Sequence, residues 1–416
     1  MPVRLFPTTV IGSLPRPAWV RDLILRRKRG EVSEPDADRL LDRAIDAVIA
    51  LEEQTGLDEI TDGEWRRESY VKVFAERVRG FGHDLNISGD LPYPAVVAPI
   101  EYHRPIAADE VRFVRSRSAR RIKATLPAPY IIGRRMWHPE HSRAAYPTRE
   151  KLMQACVPVL RREIEAVRAA GTDTVQLDEP WLAVLVDPRF REKEGIRDVQ
   201  YEMDLCVDLV NQTLDGTAGI DTAMHLCHAH FDRKHGSEGP YDLIMPALGK
   251  VRAGTISMEY ATPVAGGVAS LARFPERARL GLGCIDHCDR RVETPADVVA
   301  RVEAALKYLP AERIVLHPDC GFAPSVQNPM DLDEAYLKLK SMCQASQILR
   351  MKFDGEELNP DFREQAEKLA AEFQAAGKTL AEIADELNDR GILTKSGKPW
   401  TSANAWKLTG GKEKAG

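Results

Sequence analysis

Two hydrophobic periods alternate along the chain. Residues 18 to 27 and 35 to 56 carry apolar positions at helical spacing, the second stretch through Leu40, Leu41, Ala44, Ile45, Val48, Ile49 and Leu51 to a closing Gly56. Short β-branched or apolar runs lie before, between and after such stretches. Residues 7 to 13 form one that ends in Gly12-Ser13, before a Leu14-Pro15-Arg16-Pro17 turn, and residues 57 to 64 form a short strand with acidic groups at its end. Further strand-like runs occupy 121 to 133, 174 to 180, 222 to 227, 255 to 261, 279 to 286 and 314 to 320. The strongest helical stretches fall at 148 to 171, 203 to 216, 295 to 309 and 332 to 351. Alternating strands and helices over about 350 residues predict a parallel sheet.

Two regions break the pattern. Residues 79 to 120 are interrupted by Gly80, Gly82, Gly89, Pro92, Pro94, Pro99 and Pro105 and predict a third strand with an inserted hairpin or lid. After residue 351 the alternation stops: 352 to 361 read as a linker, and 362 to 376, 379 to 388 and 401 to 408 as three helices. The expected organisation is an α/β unit over 1–351, a linker over 352–361 and a small helical appendage over 362–416.

The chemically useful side chains gather where strands end. Residues 224 to 230 read Met-His-Leu-Cys-His-Ala-His, and alternation along a strand puts His225 and Cys227 on one face. Two later runs end in Glu259 and Cys320, which completes a nitrogen, sulfur, oxygen and sulfur donor set of the kind tetrahedral zinc accepts. Each cysteine taken alone reads as a small buried hydrophobe, whereas His-x-Cys with two more ligands at strand ends reads as a site. Functional residues at many strand ends favour a (β/α)8 TIM barrel over a doubly wound sheet, which concentrates its ligands at one switch point. No dinucleotide or phosphate-loop fingerprint supports the latter.

Ligands spread over three strand ends suit a catalytic ion better than a closed structural one. Zinc can activate either a thiol or a water, and two thiolate ligands make it a weaker Lewis acid, which favours thiol alkylation over hydrolysis. His228 and His230 stand nearby as further ligands or as partners of ligands.

The 416 residues carry a net charge of −5 and are 44% hydrophobic, which fits a globular protein and gives no electrostatic reason to expect nucleic acid or an anionic membrane as partner. The first residues hold no long apolar segment, no later run is long enough to span a bilayer, and seven cysteines follow no disulfide spacing. The expected compartment is the cytoplasm.

The stretch from about residue 6 to 351 resembles the catalytic barrel of the cobalamin-independent methionine synthase family, without that family's long N-terminal barrel. The motifs that carry the resemblance are Thr9-Val10-Ile11-Gly12-Ser13, Asp62-Gly63-Glu64, Leu177-Asp178-Glu179-Pro180, His225-Leu226-Cys227, Met258-Glu259 and Pro318-Asp319-Cys320-Gly321. The resemblance implies zinc bound by His225, Cys227, Glu259 and Cys320, with Glu259 leaving the metal when the thiol arrives. It also implies homocysteine held by Ile11 and Ser13, its ammonium facing Glu64 and Asp178, and methyl transfer from a donor to give methionine. That family passes a proton through a histidine; here Cys284-Ile285-Asp286-His287-Cys288 puts Cys288 in its register, so His287, alone or paired with Asp286, is the candidate. The folate-side positions match poorly, since Trp137 in residues 132 to 137 is displaced, and the donor is left unnamed. Glu293-Thr294-Pro295 looks more like short members of the superfamily, among them the epoxyalkane coenzyme M transferases, which open an epoxide with a zinc-bound thiolate. Such a transferase, or a barrel scaffold serving a binding or regulatory role, is the alternative.

Residues 379 to 401 resemble the helix-turn-helix-like segment of serine recombinases, with positive charge from Arg390, Lys395, Lys398, Lys407, Lys412 and Lys414. Against a nucleic-acid role stands an appendage that packs on the barrel or on a second subunit, making the C-terminal helices a candidate self-association contact.

Overall fold

The computed structural model describes residues 4–86, 93–323, 330–354, 360–390, 392, 394, 400–405 and 408. Its strands are β1 (Glu59–Ile60), β2 (Val78–Asn86), β3 (Pro94–Tyr102), β4 (Arg121–Pro127), β5 (Thr174–Asp178), β6 (Asp221–His225), β7 (His230–Phe231), β8 (Lys234–His235), β9 (Thr255–Glu259), β10 (Arg279–Ile285) and β11 (Ile314–Pro318). Seven form one curled parallel sheet in the order β1-β4-β5-β6-β9-β10-β11. The segment before the first helix fills the eighth position. Thr9 N donates to Leu316 O (3.0 Å), Leu316 N to Pro7 O (2.8 Å), and Asp58 N and Glu59 N to Thr8 O (3.1 Å each), so residues 7 to 9 bond to both edge strands and the architecture is a TIM-type barrel.

The first predicted strand is shorter than expected for a reason visible in its carbonyls. Lys123 Nζ takes Val10 O (2.8 Å) and Gln176 Nε2 takes Ile11 O (2.8 Å), so the chain leaves the ladder and turns across the barrel mouth after one bridge to Leu316. The run at 57 to 64 yields only β1, because Gly63 and Glu64 adopt φ of 64° and 57° and turn the backbone away. The run at 121 to 133 is corrected likewise: β4 ends at Pro127, and Pro129 opens a helix, Pro129–Met136, whose fixed φ suits a first turn. Among the described residues of 79 to 120 no barrel strand arises. The antiparallel pair β2 and β3 stands outside the barrel as an insertion between β1 and β4, which are neighbours in the sheet.

Helix ends follow the capping residues. Ser33 caps Glu34–Thr55, which stops at Gly56 (φ 93°); Thr148 caps Arg149–Ala170, which stops at Gly171 (φ 96°); and Thr294 with Asp297 forms a capping box on Pro295–Ala305. Asp198 starts Val199–Leu214 four residues earlier than the hydrophobic period suggests. The apolar faces of these helices and the outward faces of the strands share one large core.

The helix Leu332–Asp354 runs through the start of the expected linker. Beyond it, Pro360–Ala375, Leu380–Asp389 and Ser402–Ala405 pack around a separate small core of Ala366, Ala370, Ile383, Ala384, Leu387, Ile392 and Ala405. Asn388 ties this bundle through both backbone groups of Trp400, at 2.9 and 2.7 Å. Of the tail cations, Lys395, Lys398, Lys407, Lys412 and Lys414 lie outside the described residues. Among the described residues no helix is long and apolar enough to cross a membrane.

Candidate active site

The carboxyl ends of β6, β9 and β11 face one another across the barrel mouth, and each delivers a donor. Glu259 is the last residue of β9, Cys227 lies two residues past β6, and Cys320 two residues past β11. Their ligand atoms, with that of His230, lie within 4.8 Å of one another. The Cys227 thiol beside it, together with burial, raises the Cys320 thiol well above its ordinary range. A buried thiol raised in this way gives up its proton most readily to a cation.

His225 ends β6 beside Asp178, its register partner on β5. It falls outside the compact group of four, yet its ring is buried and neither nitrogen has a hydrogen-bond partner. Burial, reinforced by His317, lowers it to about 3, so the imidazole is neutral, which is the ligand form.

Glu259 is gripped by residues the hydrophobic pattern does not reveal. His228 Nδ1 lies 2.8 Å from Oε2, His228 N donates to the same oxygen at 3.2 Å, and His230 Nε2 bonds to Oε1. Burial alone would raise this carboxyl, but His230 and His228 hold it well below its usual range. His228 is fixed in turn by Gly239 O (3.0 Å) and by the ring of Tyr241, whose hydroxyl accepts from Glu259 N (3.2 Å). Tyr241 sits on a short turn far along the chain from either partner, and nothing local in the sequence marks it.

A second polar cluster lies next to the donors. Glu64 holds its left-handed φ and is buried; its Oε1 accepts from Thr125 Oγ1 (2.7 Å) and faces Arg67 Nη1 (3.5 Å), while Oε2 has no partner. Arg67 is spent on Glu110 (2.5 Å) and on Thr125 O (3.1 Å). A Cβ on Gly12 would stand 2.6 Å from Glu64 Oε1 and 3.0 Å from Thr125 Cγ2, so glycine lets the 9–13 turn approach this carboxylate. Asp178 Oδ1 accepts from Gln176 Nε2 (2.8 Å), the same amide that holds Ile11 O. Burial, then the neighbouring Glu64, pushes Asp178 up to about 8. Ser13 Oγ accepts from Ala323 N (3.2 Å), joining this turn to the loop that follows Cys320.

The candidate proton carriers stay together: a carboxylate oxygen of Asp286, a ring nitrogen of His287 and the Cys288 thiol lie within 4.8 Å of one another. Asp286 Oδ1 accepts from Cys288 N (2.7 Å) and Asp289 N (3.3 Å), so its carboxylate organises the turn after β10. His287 is buried, with its ring centroid 3.8 Å from that of His230 and its Nε2 3.7 Å from Cys288 Sγ.

The parallel barrel gathers two thiols, a carboxylate and imidazoles at its strand ends, beside two buried carboxylates, a group that could hold a soft or borderline metal ion. The family model described as cobalamin-independent synthase, catalytic domain, matches residues 6–348, and the chain belongs to this family. Methionine synthase of Saccharolobus solfataricus is 30% identical over 351 residues, 83% of this chain and 95% of its own length. That of Saccharolobus islandicus strain L.S.2.15 is 31% identical over the same shares. A B12-independent methionine synthase from Shewanella sp. W3-18-1, solved with selenomethionine, superposes with a TM-score of 0.70 at 23% identity, over 85% of this chain and all of that one. A second family model, described as Recombinase, matches residues 363–410.

Proposed function

We propose that the protein methylates the thiol of homocysteine to give methionine, at a zinc ion held by His225, Cys227, Glu259 and Cys320. Family membership makes it a methyltransferase acting on homocysteine with a methyl donor; the metal and the residue roles are our reading. The observation that carries it is the meeting of Cys227, Glu259 and Cys320 from three separate strand ends, beside an imidazole with two buried, unpartnered nitrogens. Bound zinc supplies acidification of the substrate thiol and holds it as the nucleophilic thiolate. His230 and His228 anchor the Glu259 carboxylate and would orient it towards an ion held with Cys227 and Cys320. Glu64 Oε2 and Asp178 pair with the substrate ammonium, while the turn through Ile11 and Ser13 lies against its backbone end. We assign proton transfer to His287 alone, because Asp286 is committed to its turn. Seven free cysteines suit a reducing, cytoplasmic setting.

The histidine assignment has a direct test. His225→Ala should weaken zinc binding, read by competition with a chromophoric chelator, far more than the ~10–100-fold expected when an outer partner such as His230 is lost. Read in a Cys288→Ser background, where only the strand-end centre is counted, equal losses in His225→Ala and His230→Ala, or a larger loss in the second, would move the ligand to His230.

Asp178 gives a pH-dependent result. With its pKa raised to about 8, the free protein holds this group protonated at pH 6.5, and an arriving ammonium favours the carboxylate. Binding of L-methionine, which carries no thiol proton, should therefore release close to one proton at pH 6.5 and progressively less above pH 8. Calorimetry in buffers of different ionisation enthalpy reads this, and Asp178→Asn should abolish it. The same shift destabilises the substrate-free fold as pH rises from 4 towards 8, because the folded state binds the extra proton across that window.

A further inference from the structure

A second set of soft and borderline donors stands behind the first. The ligand atoms of His230, His235 and Cys288 lie within 4.8 Å of one another. The two histidines are opposite residues of the β7–β8 hairpin, so their side chains share a face, and their ring centroids are 4.5 Å apart. Cys288 arrives from the turn after β10, with Sγ 3.6 Å from His230 Nδ1. His230 thus faces two ways, Nε2 towards Glu259 and Nδ1 towards Cys288. His235 Nδ1 is buried with no hydrogen-bond partner.

The hairpin is held in this shape against its own backbone preference. It turns through Asp232 and Arg233, both left-handed at φ 48° and 58°, where a two-residue turn usually places asparagine and glycine. Arg233 ties the tip down: Nε donates to Cys288 O (3.1 Å), and the guanidinium pairs with Glu334 at 3.0 and 2.6 Å. At the base, Gly236 N donates to His228 O (3.1 Å), and a Cβ there would lie 2.6 Å from Ala229 O. The cation that clamps the hairpin therefore also fixes the backbone of the cysteine opposite it. Strained turns kept in place by tertiary contacts mark functional positions.

We propose that His230, His235 and Cys288 form a second metal site for one zinc-class ion. Two imidazoles and one thiolate suit a borderline d-block cation and not magnesium or calcium, and three protein donors leave a position open. The site rests on the proposed first centre at two points, since His230 Nε2 bonds to Glu259 and His235 Nδ1 lies 4.0 Å from the same carboxylate, and it requires His230 Nδ1 and His235 to be free of that centre.

Equilibrium dialysis of the full-length protein against Zn2+ alone, followed by elemental analysis, tests this. The wild type should take up two zinc ions per chain, His235→Ala and Cys288→Ser one each, and Cys320→Ser one, retained at the second site. Saturation of the wild type at one ion that Cys320→Ser abolishes would overturn the second site and leave the first; one ion lost in Cys288→Ser but kept in Cys320→Ser would do the reverse. Two ions in Cys288→Ser would also overturn the proposal. Co2+ titration of the wild type needs no variant: the second equivalent should add a thiolate-to-cobalt band of about half the first, from one thiolate after two, and its absence would contradict the site.

Discussion

Cys320→Ser is expected to purify with no zinc at the strand-end centre and to methylate homocysteine at least 100-fold more slowly than wild type, beyond the ~10–100-fold cost of losing a partner outside the ligand set. The reasoning is local. Cys320 is buried, and its thiol lies within 4.8 Å of the ligand atoms of Cys227 and Glu259, so its loss removes a charged donor from a site whose two cysteines stand 93 positions apart in the chain. The barrel itself should survive, since Cys320 contributes little to the apolar core and sits in a loop beyond β11. Near-wild-type zinc content and turnover in a folded Cys320→Ser would remove this residue from the site.

The second large effect concerns the amino-acid end of the substrate. Asp178→Asn and Glu64→Gln keep side-chain volume and remove the charge that meets an ammonium. A hydrogen bond to a charged group contributes about 1.5–3 kcal/mol, so each should lower kcat/KM for homocysteine about 10- to 100-fold, mainly through KM. Neither should alter zinc content, because both stand outside the donor group. The same pair separates homocysteine methylation from thiol alkylation of the coenzyme M kind, whose acceptor carries no ammonium. Variants that lose homocysteine but gain nothing with a simple alkanethiol support the ammonium assignment; unchanged KM in both would refute it.

The barrel was legible because strand and helix alternate along most of the chain and because polar residues fall at strand ends. Cys227, Glu259 and Cys320 stand out for that reason: each follows an apolar run and has no structural need of its side-chain chemistry. Where strands were read too long, particular side chains or a proline ended them. The closing segment gave up its strand after Thr9 because Lys123 and Gln176, from other strands, take its carbonyls. The run past Pro127 changed to helix because proline cannot continue a ladder but can open a helix. Of the strand and inserted hairpin expected in 79 to 120, the described residues show the hairpin, outside the sheet, and no barrel strand, since β1 pairs directly with β4.

The surroundings of the donors were less legible than the donors. His228 and His230 were visible as unusual neighbours of Cys227, but their grip on Glu259 depends on the tight turn through Ala229 and on Tyr241. His235 and Cys288 meet only because a strained two-residue turn is fastened by Arg233. No period or spacing encodes such a contact between two loops.

The central claim is that substrate sulfur enters a zinc centre built from Cys227 and Cys320. Zinc K-edge absorption on protein loaded with one equivalent of metal tests it most directly, before and after L-homocysteine. The account predicts two sulfur neighbours at about 2.3 Å, as for zinc thiolates, becoming three with homocysteine as one oxygen neighbour is lost. A shell that contains no sulfur, or one that homocysteine leaves unchanged, would contradict it.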